Sequence, residues 1–359
     1  MNRHASYRGV GARVHPARCE KLDFGAGVAW WTRMPRIAVA VTWLHLPGAR
    51  AQEVAPPWNV EPAEASARAS LGLLLDVTWT GSRLVAVGER GNIVVSDDGQ
   101  HWAQAQVPAR STLTSVFFVD HRSGWAVGHD GIVLHTRDGG STWIVQRFDP
   151  TANQPLLDVV FLDPRRGFAV GAFGLFLSTV DGGQTWTDVD APVVRELGLH
   201  LQAIAAISNG GLLVTGENGL IATSIDGTTW QRQPTAYEGS FFGAVSRGIT
   251  GAIVFGLRGT AFATQDIHSN AWSRIDLGTT CSLFGGVSLA DGSTVVVGSD
   301  GCVQTLDAHG TGESHPMTAI AGDRGVGSFS SAAIWPGGFL VVGERGIQSF
   351  NAGASGAWR

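Results

Sequence analysis

A Gly-x-x-Gly turn at the end of an apolar run recurs seven times along this chain. The copies fall at Gly88/Gly91, Gly128/Gly131, Gly171/Gly174, Gly216/Gly219, Gly256/Gly259, Gly298/Gly301 and Gly343/Gly346. Successive first glycines lie 40, 43, 45, 40, 42 and 45 residues apart. A period of about 40–45 residues with strand-like flanks is what one blade of a β-propeller requires. Helical repeats of similar length would carry a 3.6-residue apolar period and few glycines, whereas this chain has 49. The expected fold is therefore all-β: a seven-bladed propeller of four-stranded antiparallel blades.

The third copy shows the unit most clearly. Leu156–Phe161 reads as a strand, 162–167 as a turn and Phe168–Gly171 as a second strand. After the tight turn at Gly174, Leu175–Thr179 reads as a third strand, and Trp186–Val189 begins a fourth. Short apolar runs bounded by Gly, Pro and Asp carry this meaning. The glycines are expected to supply positive φ in hairpins between twisted strands. One blade cannot bury its own faces, so neighbours must stack.

Between the third and fourth strands lies a second pattern, Thr-x-Asp-x-Gly-x-Thr-Trp, at Thr136–Trp143 and Thr179–Trp186. It resembles the Asp-box of the bacterial neuraminidase repeat. Asp138 with Trp143 and Asp181 with Trp186 carry it fully. Asp97, Gly99, His101 and Trp102 preserve most of it in the first blade, and Asp226 with Trp230 give a shorter version in the fourth. Later copies decay, with a late Trp272 after Asp266 and no Trp after Asp307. The carboxylate is expected to accept from turn amides and the Trp to fill apolar space between blades. These are structural roles, not catalytic or calcium sites.

Charge narrows the partners. Of the 25 basic side chains, 8 precede residue 52, against 2 of the 30 acidic ones. Residues 52–359 therefore carry a net charge of −11, which argues against nucleic acid as a partner. No uninterrupted apolar run reaches the roughly 18 residues of a membrane span. Met34-Pro35-Arg36, the apolar stretch Ile37–Leu44 and then Ala49-Arg50-Ala51 read as a secretion signal cleaved near Ala51-Gln52, with Met34 as an alternative start. The competing reading is an unstructured cytosolic tail. On the first reading, residues 1–51 are a leader, 52–72 a closing segment and 73–359 the propeller of a periplasmic or lumenal protein. Cys281 and Cys302 then form a disulfide or remain two buried thiols. One intervening strand places them wide for a bridge unless the loop before Ser282 folds inwards.

The stretch Trp125–Trp143 (Trp-Ala-Val-Gly-His-Asp-Gly-Ile-Val-Leu-His-Thr-Arg-Asp-Gly-Gly-Ser-Thr-Trp) is similar to repeats of the photosystem II stability/assembly factor family of chloroplasts and cyanobacteria. The resemblance covers about residues 73–359 and weakens after Gly259. It implies a secreted or lumenal, non-enzymatic propeller that needs no cofactor and binds a membrane or envelope protein during assembly. A monomer is expected. In the photosynthetic members an arginine patch is thought to hold the partner.

The alternative is a glycoside hydrolase, since similar boxes occur in sialidases. Sialidase chemistry wants a tyrosine with a paired glutamate and three clamping arginines. Here Tyr237 and Glu238 are sequence neighbours, poorly placed for one to deprotonate the other. Two-carboxylate hydrolysis leaves no sequence spacing to test. The Gly-x-x-Gly turns lack the following helix of a phosphate loop. His101, His129 and His135 lack metal-ligand spacing and read as solvated turn or strand residues.

Two placements complete the expectations. Trp58 stands 30 residues before Gly88, as Trp186 does before Gly216, so Val54–Val60 is expected to supply the outer strand of the last blade. Trp58 and Trp358 then compete for one slot. The turns between second and third strands share a face with the loops linking blades, opposite the Asp-boxes. On that face the residue before each second glycine is Arg90, Asp130, Phe173, Asn218, Arg258, Asp300 or Arg345. Blades one and seven, neighbours in a closed ring, share Val-Gly-Glu-Arg-Gly. Arg90 and Arg345 should thus lie together, with Arg258 two blades away, as a site for the acidic loop or tail of a partner. Glu89 and Glu344 either line the same site or neutralise its arginines as exposed ion pairs.

Overall fold

The computed structural model describes residues 60–208, 210–307 and 327–350. They form seven antiparallel sheets, four-stranded in blades one to five and three-stranded, among the described residues, in blades six and seven. The inner strands are Leu74–Trp79, Leu113–Phe118, Leu156–Phe161, Leu201–Ala206, Phe241–Arg247, Leu283–Ser288 and Phe329–Trp335. Each packs against the next, and the seventh against the first, so the ring is closed and seven-bladed.

The second strand of every blade is buried at every position, for example Leu84–Gly88 and Gly167–Gly171. A strand covered on both faces by neighbouring blades reads as a continuous apolar run rather than an alternating one. The cores accordingly lie between blades. Leu74, Leu84 and Ala86 of blade one meet Ala333, Leu340 and Val342 of blade seven in one buried cluster.

The two glycines of each turn do different work. The second glycine takes positive φ, from 56° at Gly131 to 75° at Gly346. The first does not: Gly88 and Gly171 are extended, at −172° and −165°. Its requirement is room. A Cβ on Gly88, Gly128, Gly171, Gly256, Gly298 or Gly343 would collide with the carbonyl oxygen that precedes the inner strand, respectively that of Leu73, Thr112, Pro155, Ser240, Ser282 and Ser328. Each of those carbonyls also accepts from the amide just after the glycine, as Leu73 does from Glu89 (3.1 Å) and Ser282 from Ser299 (2.8 Å). The positive-φ expectation therefore holds for one glycine of each pair.

The turns between third and fourth strands are held as expected in blades two, three and four. Asp138 Oδ1 accepts from the Thr142 amide (2.9 Å) and the Thr136 hydroxyl (2.8 Å), and Asp181 does the same with Thr185 and Thr179. Asp226 accepts from the amides of Thr228 and Thr229 at 2.8 Å. In blade one the residue is Asp98, not Asp97. Asp98 Oδ1 accepts from the amides of Gln100 (2.9 Å) and His101 (2.8 Å), whereas Asp97 pairs with Arg83 at 2.9 Å. The turn of blade one has the shorter spacing of blade four, which moves the carboxylate by one residue. Trp143 and Trp230 are buried between blades, against Phe118 and Phe176. Trp186 meets Phe161 edge-on, and Trp102 joins Trp79 and Trp335 at the junction of blades one and seven.

Cys281 and Cys302 form a disulfide, with Cα atoms 6.5 Å apart. Both cysteines pack against the core between blades five and six, and the Cys281 amide donates to Thr279 Oγ1 at 3.3 Å. The closing strand expected at Val54–Val60 falls, except for Val60, outside the described residues, as do Trp58 and Trp358. Val60 itself is in no strand, and with Ala63 it packs against the core between blades one and two.

The glycine argument yields a paired expectation. Gly171→Ala should cost about 3 kcal/mol or more, because backbone on both sides must move. Gly198→Ala, at φ +60° with open space around it, should cost only about 1 kcal/mol of left-handed strain. Urea unfolding of the two variants reads the difference, and equal costs would remove the steric account.

Candidate functional site

The turns between second and third strands carry unusual backbone. Arg90, Asp130, Phe173, Asn218, Arg258 and Asp300 all sit in the left-handed region, with φ between 52° and 59°. Asn and Asp tolerate this conformation, but Arg and Phe do so only at a cost of about 1 kcal/mol or more. Blade seven differs: Glu344 and Arg345 form a two-residue connection between the paired Gly343 and Gly346, and the positive φ falls on Gly346.

Arg90 and Arg345 line the same open cleft, of about 940 Å³, together with Arg68, Arg110, Glu64, Glu89 and Glu344. Arg258 lies outside it and is exposed on its own turn. The two glutamates of the shared motif turn inwards. Glu89 Oε1 accepts from the Leu73 amide and Glu344 Oε2 from the Ser328 amide, both at 3.2 Å. Glu217 plays the same part in blade four, accepting from the His200 amide at 2.8 Å. Arg90 is exposed and makes no ion pair among the described residues, so Glu89 does not neutralise it. The neighbouring turn of blade three presents Phe173, 56% exposed and edge-on to His200.

A second polar constellation lines the central channel. Asp76 and Asp158 occupy equivalent places on the inner strands of blades one and three. Asp76 accepts from the Val116 amide of blade two (2.8 Å) and the Ser331 hydroxyl of blade seven (2.7 Å). Asp158 accepts from the Ser115 hydroxyl of blade two (2.7 Å) and the Ile204 amide of blade four (2.8 Å). Both carboxyls are held above the ordinary range by burial, Asp158 at about 7. Sequence reasoning missed this pair. The available signal was the repeated Leu-Leu-Asp-Val, at Leu74–Val77 and Leu156–Val159, which puts an acid inside an apolar inner strand.

The histidines divide. His101 is exposed and paired with Asp98 at 2.6 Å, and His129 is exposed. His135 is not solvated. It is buried, stacked on Trp125 at 4.8 Å, and burial pushes its pKa down to about 4. The cause is its register opposite Trp125 in the blade-two sheet. Tyr237 is a packing residue: its hydroxyl donates to the Leu257 carbonyl (3.3 Å), and its ring lies against Phe241 and Phe262. Glu238 is exposed. Among the described residues no group of three or more His, Cys, Asp or Glu is placed to hold a metal, and no helix is long and apolar enough to cross a membrane.

Asp158 makes a pH-dependent contribution whose sign follows from its position. A carboxyl raised to about 7 in the folded state adds its full stability below the unfolded value near 3.8 and loses it as pH rises through 7. Asp158→Asn loses an acceptor at every pH, but it carries no charge to desolvate. The variant should therefore gain on the parent as pH rises from 4 to 8. Urea midpoints across that range check this, and a constant gap would mean that Asp158 is ionised throughout.

The family model for the photosynthesis system II assembly factor YCF48 matches residues 94–154 and 146–312. The chloroplastic photosystem II stability/assembly factor HCF136 of Cyanidioschyzon merolae is 37% identical over 76 residues, 19% of this chain and 17% of that protein. The photosystem II assembly protein Ycf48 of Thermosynechococcus vestitus is 39% identical over 46 residues, 13% of each. The chain thus aligns with under a fifth of either relative's length. Among solved structures, YCF48 bound to D1 peptide superposes with a TM-score of 0.62 at 18% identity, covering 81% of this chain and 97% of that one. YCF48 from Cyanidioschyzon merolae gives 0.60 at 16%, covering 80% and 96%. The WD40 propeller of Doa1 scores 0.61 at 12%, covering 80% and 93%, so these likenesses speak to fold alone. With the family model matched over more than half of its length, the chain belongs to the photosynthesis system II assembly factor YCF48 family.

Proposed function

We propose that this propeller is a non-enzymatic assembly or stability factor, and that its arginine cleft captures an acidic loop or tail of a membrane or envelope protein. The observation that carries this reading is the cleft itself. Arg90 and Arg345 converge from two blades, and the glutamates beside them are committed to backbone amides. The Arg90 guanidinium, exposed and in no ion pair among the described residues, is suited to paired contact with carboxylates on a body of net −11. The strained backbone at Arg90 favours the same view, since such strain collects where function requires it. Family membership and the likeness to YCF48 bound to D1 peptide support a membrane-protein partner.

The hydrolase alternative draws no support from the channel, where Asp76 and Asp158 spend their oxygens joining neighbouring blades. Arg90→Glu with Arg345→Glu should abolish capture of the partner from detergent-solubilised envelope while shifting the thermal midpoint little. Undiminished capture by that double variant overturns the site.

We further propose export, with cleavage near Ala51-Gln52, and action in the periplasm or an equivalent lumen as a monomer. The Cys281–Cys302 disulfide supports this, because such bonds persist in oxidising compartments. Sequencing the N-terminus of the native protein should return a chain starting near Gln52. An intact Met1 or Met34 in a cytosolic fraction would exclude export.

A further inference from the structure

The segment entering blade one lies along the rim of the arginine cleft and is fixed there by backbone contacts. The Ala63 amide donates to the Val107 carbonyl at 3.0 Å, and the Ser66 amide to Gln104 Oε1 at 2.7 Å. Gln104 Nε2 returns a bond to the Glu64 carbonyl at 3.0 Å. Val60 and Ala63 anchor the same stretch in the core between blades one and two. This segment brings two carboxylates to one cleft arginine. Glu61 Oε2 takes Arg110 Nη1 at 2.8 Å, and Glu64 Oε1 takes Arg110 Nη2 at 3.1 Å. Both terminal nitrogens of that guanidinium are thus occupied by acids of the protein's own chain.

We infer that Glu61 and Glu64 are a built-in acidic competitor for the cleft, which an incoming acidic peptide segment displaces from Arg110. The inference rests on the proposed function above and adds to it a regulation of the same site. Four observations support it. Arg110 shares the cleft with Arg68, Arg90 and Arg345, so a peptide spanning the cleft meets it. The contact is easily given up: the side chains of Arg110, Glu61 and Glu64 are 46%, 72% and 80% exposed, and such pairs are weak and screened by salt. The segment itself stays in place when the pairs open, because its amides and apolar anchors do not depend on them. The two glutamates, three residues apart on a chain pinned along the rim, also show the ligand chemistry that Arg110 accepts: two carboxylates delivered by one segment of peptide.

The probe is a fluorescein-labelled hexaglutamate peptide, titrated at low salt into the full chain. Glu61→Gln with Glu64→Gln frees Arg110 while keeping size and polarity. It should tighten binding about three- to tenfold, the range expected when weak exposed pairs cease to compete. Arg110→Gln should abolish that gain when added to the glutamine pair. If the peptide binds the parent, is lost from Arg90→Glu/Arg345→Glu, and binds the glutamine pair no more tightly, the competitor idea is overturned and the cleft assignment stands. If it binds neither the parent nor the glutamine pair, the cleft assignment fails and the competitor falls with it. Thermal midpoints of the glutamine variants within about 2 °C of the parent show that the segment is still docked.

Discussion

One contact organises every blade: a carbonyl oxygen pressed against the first glycine of the turn and bonded to the next amide. It appears at Leu73 over Gly88, Thr112 over Gly128 and Pro155 over Gly171, and at the equivalent place in the other four blades. The contact fixes where the chain leaves the inter-blade loop and starts down the channel. It also throws the inner strand out of simple register, for each inner strand has an irregularity at that point, such as Leu74/Asp76 opposite Gly88. The extra residue turns the next side chain towards the channel and the neighbouring blade. Asp76, Ser115, Asp158 and Ser331 reach across blade boundaries because of it. Thus a steric demand at one glycine goes with the same irregularity in every inner strand, and the residue that follows it decides whether the channel there is polar.

That lining is lopsided. Two carboxylates and two hydroxyls join blades seven, one, two, three and four in an unbroken series. The corresponding positions of blades four to six are Ala203, Gly243 and Gly285, paired with Thr215, Phe255 and Val297. The junction of blades seven and one, where the described ends of the propeller meet, is on the hydrogen-bonded side. Its apolar contacts, Leu74 and Leu84 against Leu340 and Val342, are those of any other junction. The added Ser331–Asp76 bond is a part-buried, satisfied polar pair, which also helps to specify register at this junction. The arginine cleft sits above this same junction, with walls drawn from blades one and seven and from Arg110.

The repeat period, the strands and the face carrying Arg90 and Arg345 were legible in the sequence because they are periodic and local. The glycine count alone could not separate two causes, and positive φ was assigned to both members of each pair when only one needs it. The pattern points to Asp97 where the structure uses Asp98, because a one-residue shortening of the turn is invisible until the amides it serves are seen. His135 looked like a strand residue facing water, and only the pairing with Trp125 shows it buried. Asp76 and Asp158 passed unremarked, as an isolated acid in an apolar strand has no partner in its own repeat. Each reaches donors about 40 residues away, in the next blade. Local patterns thus gave blade geometry, while contacts between blades required the ring.

Protons act on this ring in opposite directions. Asp158, raised to about 7 by burial, weakens the fold as pH climbs from the ordinary carboxyl range to neutrality. His135, lowered to about 4 by burial, weakens it as pH falls from the ordinary imidazole value near 6.5. Their windows overlap between about 4 and 6.5, where one loss offsets the other. Below that window the turn carboxylates take over. Asp181, held at about 2 by the Thr185 hydroxyl and amide, gives stability above 3.8 that is lost as pH falls through 2.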